Sequence, residues 1–146
     1  MSNMKEKQIK VLKVEPLKAP EVVTIENTLE SLQAAVGGLI QITYPWRDYA
    51  CIICNDEGKY MGMKLNRALY EGEEPCQKER ENNQIGEMYD IIAGPFLVTG
   101  LSDEDGYQHS LSEEQIQAYT ERFKYPEWFT RQIKNGKPTI VAVPIK

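Results

Sequence analysis

Two short runs carry the side chains best suited to holding a ligand, Tyr44-Pro45-Trp46-Arg47 and Asn66-Arg67. Aromatic faces stack planar rings, a guanidinium grips a phosphate or carboxylate through two parallel hydrogen bonds, and an Asn amide can read a base or ribose edge. These are the parts of a nucleotide pocket, provided the chain brings the two runs to the ends of one antiparallel unit. The same residues also suit a plainer role, in which Tyr44 and Trp46 pack a strand end while Arg47 with Asp48, or Arg67, makes surface ion pairs. A surface Arg67 would cost little stability when removed.

The remaining chemistry-bearing residues point to structure. Cys51 and Cys54 have the spacing of a metal or redox pair, but in a strand residues three apart face opposite ways, and Ile52-Ile53 between them is apolar. Both are expected to pack as small hydrophobes. Cys76 stands in a polar stretch with no supporting motif. The single histidine, His109, lies among Asp103, Glu104 and Asp105 with no recognisable nucleophile and reads as a solvated loop residue. Glu113 and Glu114 suit the first turn of a helix. No calcium loop, glycine-rich dinucleotide fingerprint or phosphate-binding loop is present, so no catalytic residue, metal or cofactor is expected.

The elements that would position these groups are legible from periodicity. Gln8–Val14 and Val22–Ile25 read as a strand hairpin, with residues 1–7 as a frayed terminus. Asn27 and Glu30 have capping-box spacing, and the helix that follows, with Leu29, Leu32, Ala35 and Val36 on one face, ends at Gly37-Gly38. Leu39–Tyr44 alternates as a third strand, and Tyr49–Cys54 is apolar on both faces as an interior strand. Asn55–Lys59 reads as a turn with Gly58 left-handed, from which Lys59–Met63 returns antiparallel, with a bulge or close approach at Gly62. Residues 71–86 form a long polar loop. Met88–Leu101 is a β stretch broken at Gly94-Pro95. Ser112 and Gln115 form a second capping box with Leu111 and Ile116 as a staple. Pro126 opens a short helix carrying Trp128, Phe129 and Ile133, Asn135-Gly136 turns, and Thr139–Val143 completes or edges the sheet.

These elements compose an α+β fold, a mainly antiparallel sheet of about five to six strands with two to three helices packed against it. At 146 residues with 41% hydrophobic side chains the chain matches one domain. Twenty-two acidic against seventeen basic residues give a net charge of -5, which argues against a nucleic-acid partner. No stretch approaches the ~20 apolar residues of a membrane span, and three cysteines fit a reducing cytoplasm.

In order along the chain, Gly37-Gly38, Tyr44-Pro45-Trp46, Cys54-Asn55-Asp56-Glu57-Gly58-Lys59, Asn66-Arg67-Ala68-Leu69 and Tyr89-Asp90-Ile91-Ile92-Ala93-Gly94-Pro95-Phe96 resemble a domain of unknown function carried by phages, plasmids and their bacterial hosts. The resemblance covers approximately Ile9 to Phe123. The 71–86 loop is longer than the family's usual connection, and the chain after Tyr125 extends beyond its common core. The resemblance implies a mobile-element accessory protein acting in the bacterial cytoplasm, and a protein of that kind without catalytic signatures works by stoichiometric binding. The first expectation is a pocket of Tyr44, Trp46, Arg47, Asn66, Arg67 and Asp90 that sequesters a small nucleotide-derived signal of host anti-phage defence. The alternative is direct inhibition of a host protein through the same anchors, with hydrolysis of a nucleotide signal behind both. A homodimer or higher homo-oligomer is the expected assembly.

Overall fold

The computed structural model describes residues 5–76 and 86–146. In chain order its elements are β1 (Gln8–Val14), β2 (Glu21–Glu26), α1 (Leu29–Val36), β3 (Ile40–Thr43), β4 (Ala50–Asn55), β5 (Leu65–Tyr70), β6 (Met88–Ala93), β7 (Phe96–Leu101), β8 (Gln108–His109), α2 (Glu113–Arg122), β9 (Glu127–Lys134) and β10 (Lys137–Pro144). The α+β class holds, with ten strands and two helices among the described residues rather than six strands and up to three helices. The strands divide into a main sheet ordered β2-β1-β7-β4-β3, with β8 beside β7, and two hairpins, β5-β6 and β9-β10. All pairings are antiparallel.

The main sheet is buried on both faces because its central strands are apolar on both. Ile9, Val11, Cys51, Ile53 and Leu97 meet Leu32 and Val36 of α1. Leu12, Val14, Ile52, Phe96 and Val98 face the other way, onto Tyr119 and Phe123 of α2 and Leu69 and Ile92 of the β5-β6 hairpin. Every residue of β4 is buried, as its two-sided apolar sequence dictates. Each fully buried Ile or Leu contributes roughly 1.5–3 kcal/mol, so β1, β4 and β7 hold the layers together. Cys51 and Cys54 fall in opposite layers, as strand geometry requires.

The helix ends follow local chemistry with one correction. Ser112 and Gln115 make the expected capping box, and Leu111 is buried with Ile116 packed against the same cluster. Before α1, however, the cap is Thr28, whose Oγ1 accepts from Ser31 N at 3.2 Å. Asn27 is committed elsewhere: its Nδ2 donates to Glu6 O at 3.0 Å and Gln108 O at 3.1 Å. The helix stops at Gly37, where φ is 80°.

Further departures have identifiable causes. Lys59–Met63 does not return beside β4, because β3 and β7 already occupy both of its edges; the segment turns instead, with Gly62 at φ 71°. Gly58 is required for space, not for handedness, since a Cβ there would lie 2.6 Å from Ala93 O. Residues 127–134 form β9 in place of a second helix, and β10 pairs with β9 away from the main sheet. The Asn135-Gly136 turn closes Lys134 on Lys137 and carries 127–134 into an eight-pair antiparallel register with β10. Within the expected frayed terminus, Lys5–Lys7 is fastened, with Glu6 hydrogen-bonded to His109 and Ser110. Of the expected polar loop, residues 77–85 lie outside the described residues, and its start turns inward at Glu73, which is 2% exposed.

Candidate functional site

The six residues expected to share a pocket separate into a buried group and a surface group. Trp46 is 5% exposed, its ring 4.5 Å from that of Tyr119 and 6.1 Å from that of Phe123. Its Nε1 donates to Glu73 Oε1 at 2.8 Å. The Glu73 carboxylate also takes Arg122 Nη2 at 2.9 Å and Tyr70 N at 3.3 Å, and Arg122 lies over the Phe123 ring at 4.6 Å.

Asn66 and Arg67 are fully buried because β5 carries a bulge. Leu65 pairs with Ala93 and Arg67 with Ile92, so Asn66 is an extra residue, and both it and its neighbour turn inward. Asn66 Nδ2 donates to Val14 O and Gly94 O, each at 2.9 Å. The Arg67 guanidinium donates to Lys18 O and Phe123 O at 2.8 Å and to Asn66 Oδ1 at 2.8 Å. Burial pulls its pKa down to about 10, partly countered by the Glu127 carboxylate, and it stays charged at neutral pH. Glu127 in turn accepts from Ala68 N at 2.8 Å. Trp46, Asn66 and Arg67 thus converge on Phe123 and the strands beneath α2, where they join elements and offer no face to a ligand.

Tyr44 and Arg47 lie on the surface, and Arg47 N is held by Glu74 at 3.0 Å. Asp90 is also exposed and pairs with Lys59 at 2.6 Å.

Asp90 does line a substantial cavity, a groove of about 1060 Å³ between the β5-β6 hairpin and β10. Lys59, Tyr70, Tyr89, Lys134 and Lys137 also line it, together with the Glu87 carboxylate and the polar Asn135 and Thr139, and Met88, Ile91 and Ile140 supply apolar wall. The register of β6 explains Tyr89: Leu69 pairs with Asp90 and Tyr70 with Met88, leaving Tyr89 as an extra residue. Burial raises the pKa of both tyrosines, and the nearby carboxylates, Glu73 and Glu127 for Tyr70, Glu73 and Asp90 for Tyr89, raise it further, so both are neutral donors. Lys59 neutralises Asp90, while Lys134 and Lys137 face each other across the Asn135-Gly136 turn, where both central residues have φ above 0°. The groove residues Tyr70, Lys134 and Lys137 were not singled out by sequence reasoning, and Tyr89 was named only within the run from Tyr89 to Phe96 that carries the family resemblance. The paired lysines become visible once 127–134 is read as a strand.

A second cleft of about 890 Å³ brings Asp48, Cys76, His109 and Ser110 together. Its polar groups are engaged with one another. Asp48 accepts from Tyr119 Oη at 2.6 Å and Gln115 Nε2 at 3.0 Å. His109 is a clamp, not a solvated loop residue: Nδ1 is 3.1 Å from Glu6 and Nε2 3.2 Å from Asp105. Burial lowers its pKa, but the hydrogen bonds and charges of Glu6 and Asp105 outweigh this and hold it above the ordinary value. Ser110 Oγ donates to Glu6, away from the imidazole, and burial pushes the Cys76 thiol up to about 11. The described residues include no group of three or more His, Cys, Asp and Glu side chains arranged to hold a metal ion, and no helix among them is long and apolar enough to cross a membrane.

Comparison with curated proteins and with solved structures gives no match. Residues 9–124 match the family described as Domain of unknown function (DUF3846), so the core from β1 through α2 is that domain and the β9-β10 hairpin lies outside the match: the chain belongs to the DUF3846 family.

Proposed function

We propose that the protein is a non-catalytic accessory protein of a phage or other mobile element, acting in the bacterial cytoplasm by sequestering a small nucleotide-derived signal of host defence. The binding site is the groove between the β5-β6 hairpin and β10, not the strand ends at Tyr44 to Arg47. What supports this reading is the lining of that groove, where the tyrosine rings of Tyr70 and Tyr89 accompany the ammonium groups of Lys134 and Lys137 in about 1060 Å³, while Lys59 offsets the charge of Asp90. Rings stack a base, ammonium groups neutralise phosphate, and a volume at the upper end of the range for small-molecule sites accommodates a nucleotide or dinucleotide.

The test is thermal shift of the purified chain with a panel of cyclic dinucleotides and ADP-ribose derivatives, followed by heat release and identification of the recovered compound. A shift with unchanged compound supports sequestration. A converted product makes the protein an enzyme, and the absence of any shift removes the reading.

A second reading, direct inhibition of a host protein, is favoured by the apolar surface of the β9-β10 hairpin, where Trp128 is 62% and Ile133 79% exposed. Co-purification of a defined host protein that is lost on Trp128→Ser and Ile133→Ser substitution would establish it.

A further inference from the structure

The β9-β10 hairpin differs from the body in charge and is only partly packed against it, on the side of β5. Residues 124–146 carry five basic side chains against one acidic, whereas residues 1–123 carry twelve basic against twenty-one acidic. The single acid of the segment, Glu127, is committed to Ala68 N. Arg131, Lys134 and Lys137 are exposed. So are Trp128, Ile133, Ile140 and Val143, on strands that among the described residues pair only with each other. A two-stranded ribbon of this kind is marginal in water and needs a covering surface.

The body carries a complementary surface at β2. Among the described residues this strand pairs with β1 alone, in continuous register over six residue pairs, so its outer N–H and C=O groups have no strand partner there. No lysine, proline or bulge interrupts Glu21–Glu26, the devices that usually guard such an edge. Glu21 and Glu26 stand exposed at its two ends, and Val22 between them is 42% exposed. On the hairpin, by contrast, Pro138 and Pro144 blunt the edge of β10, which leaves the outer edge of β9 as the one able to pair.

We propose that the hairpin is a docking arm for a second copy of this chain, the outer edge of β9 in each copy adding to the acidic edge strand β2 of the other. The contact is reciprocal and closed, two arms and two edges satisfied at once, as two-fold assemblies require. A nucleic acid is disfavoured as occupant because the strongly acidic body stands behind the arm and repels a polyanion. Of the residues it is tested on, only Lys134 also lines the nucleotide groove, so the β2 edge variant at Glu21 and Glu26 tests the inference separately from that site.

The experiment is light scattering on the full chain with three forms: the natural chain, an arm variant Arg131→Glu with Lys134→Glu, and an edge variant Glu21→Lys with Glu26→Lys. The natural chain is expected to be a dimer whose dissociation constant rises at least tenfold between low salt and about 1 M salt, where the screening length is ~3 Å. Each variant alone is expected to be a monomer with a melting temperature close to that of the dissociated natural chain. An equimolar mixture of the two variants restores a 1:1 dimer, because each reversed arm meets a reversed edge. A natural chain that is monomeric at all concentrations overturns the proposal. So does a dimer that both variants preserve, or a pair of folded monomeric variants that fail to recombine. If a variant does not fold, the salt dependence and cross-linking of β9 to β2 in the natural chain decide, and absence of both overturns it.

Discussion

The indole Nε1 of Trp46 donates to Glu73 Oε1 at 2.8 Å, and this contact ties the loop before β4 to the turn after β5 inside the core. The carboxylate that receives it is 2% exposed and also neutralises Arg122. Glu73→Ala would leave the indole N–H without its acceptor and the guanidinium, still bonded to Ala68 O at 2.8 Å, without its counter-charge, and breaking a buried ion pair from one side costs about 3–5 kcal/mol. Urea denaturation is expected to show a loss of this size, with Glu73→Gln intermediate because it keeps an acceptor for the indole.

Arg67→Ala is expected to lower the melting temperature sharply, the reverse of what a surface guanidinium would give. Its loss leaves the carbonyls of Lys18 and Phe123 without this donor and opens a cavity beneath α2. The predicted cost is at least about 3 kcal/mol by equilibrium unfolding. Arg67→Lys recovers only part of it, since one ammonium cannot reach acceptors on two separate segments in the guanidinium's geometry.

The His109 clamp gives the fold a signed pH dependence. Folding raises the His109 pKa above its ordinary 6.5, so its stabilisation is complete below about pH 6.5 and disappears as pH rises through the folded value. Folding lowers the Glu6 pKa below its ordinary 4.5, despite opposing desolvation, through hydrogen bonds from His109 and Ser110, so that contribution is complete above about pH 4.5 and is lost on acidification. The melting temperature of the natural chain should therefore exceed that of His109→Gln most between these two values. The difference should shrink towards pH 9.

Tyr89→Ala and Lys137→Ala test the groove directly. Both side chains are exposed, so each substitution is expected to move the melting temperature of the free protein by little, within about 0.5 kcal/mol of stability. Each should reduce the thermal shift produced by a bound nucleotide several-fold. Equal shifts in the natural chain and both variants would place the ligand elsewhere.

The parts of the fold that were legible in the sequence are those in which local pattern and tertiary packing agree. The β pattern of Ile9, Val11, Leu12 and Val14 in β1, the two-sided apolar run of β4, the Ser112 capping box and the Gly37 helix end each report a local requirement that the fold also uses. The errors fall where a distant partner decides. Asn27 did not cap its helix because Glu6 and Gln108 claim its amide, and β4 had no edge left for a return strand because β7 comes from far along the chain. The expected pocket failed to assemble for the same kind of reason. One extra residue in β5 turned Asn66 and Arg67 inward together, and nothing in the local alternation announces that bulge. The residues that carried the family resemblance are largely structural: Gly58 leaves room for Ala93 O, Asn55 Nδ2 donates to Val36 O at 3.1 Å, and Asn66 bridges Val14 and Gly94.

The placement of β7 between β1 and β4 also governs how the chain can be made. Leu12 pairs with Val98 and Ile52 with the same Val98, so the centre of the sheet cannot close until the chain through Leu101 has been synthesised. Until then the inner edges of β1 and β4 have no partner in the main sheet, since β7 pairs with both. Non-local pairing of this order makes folding slow relative to chains with local topology.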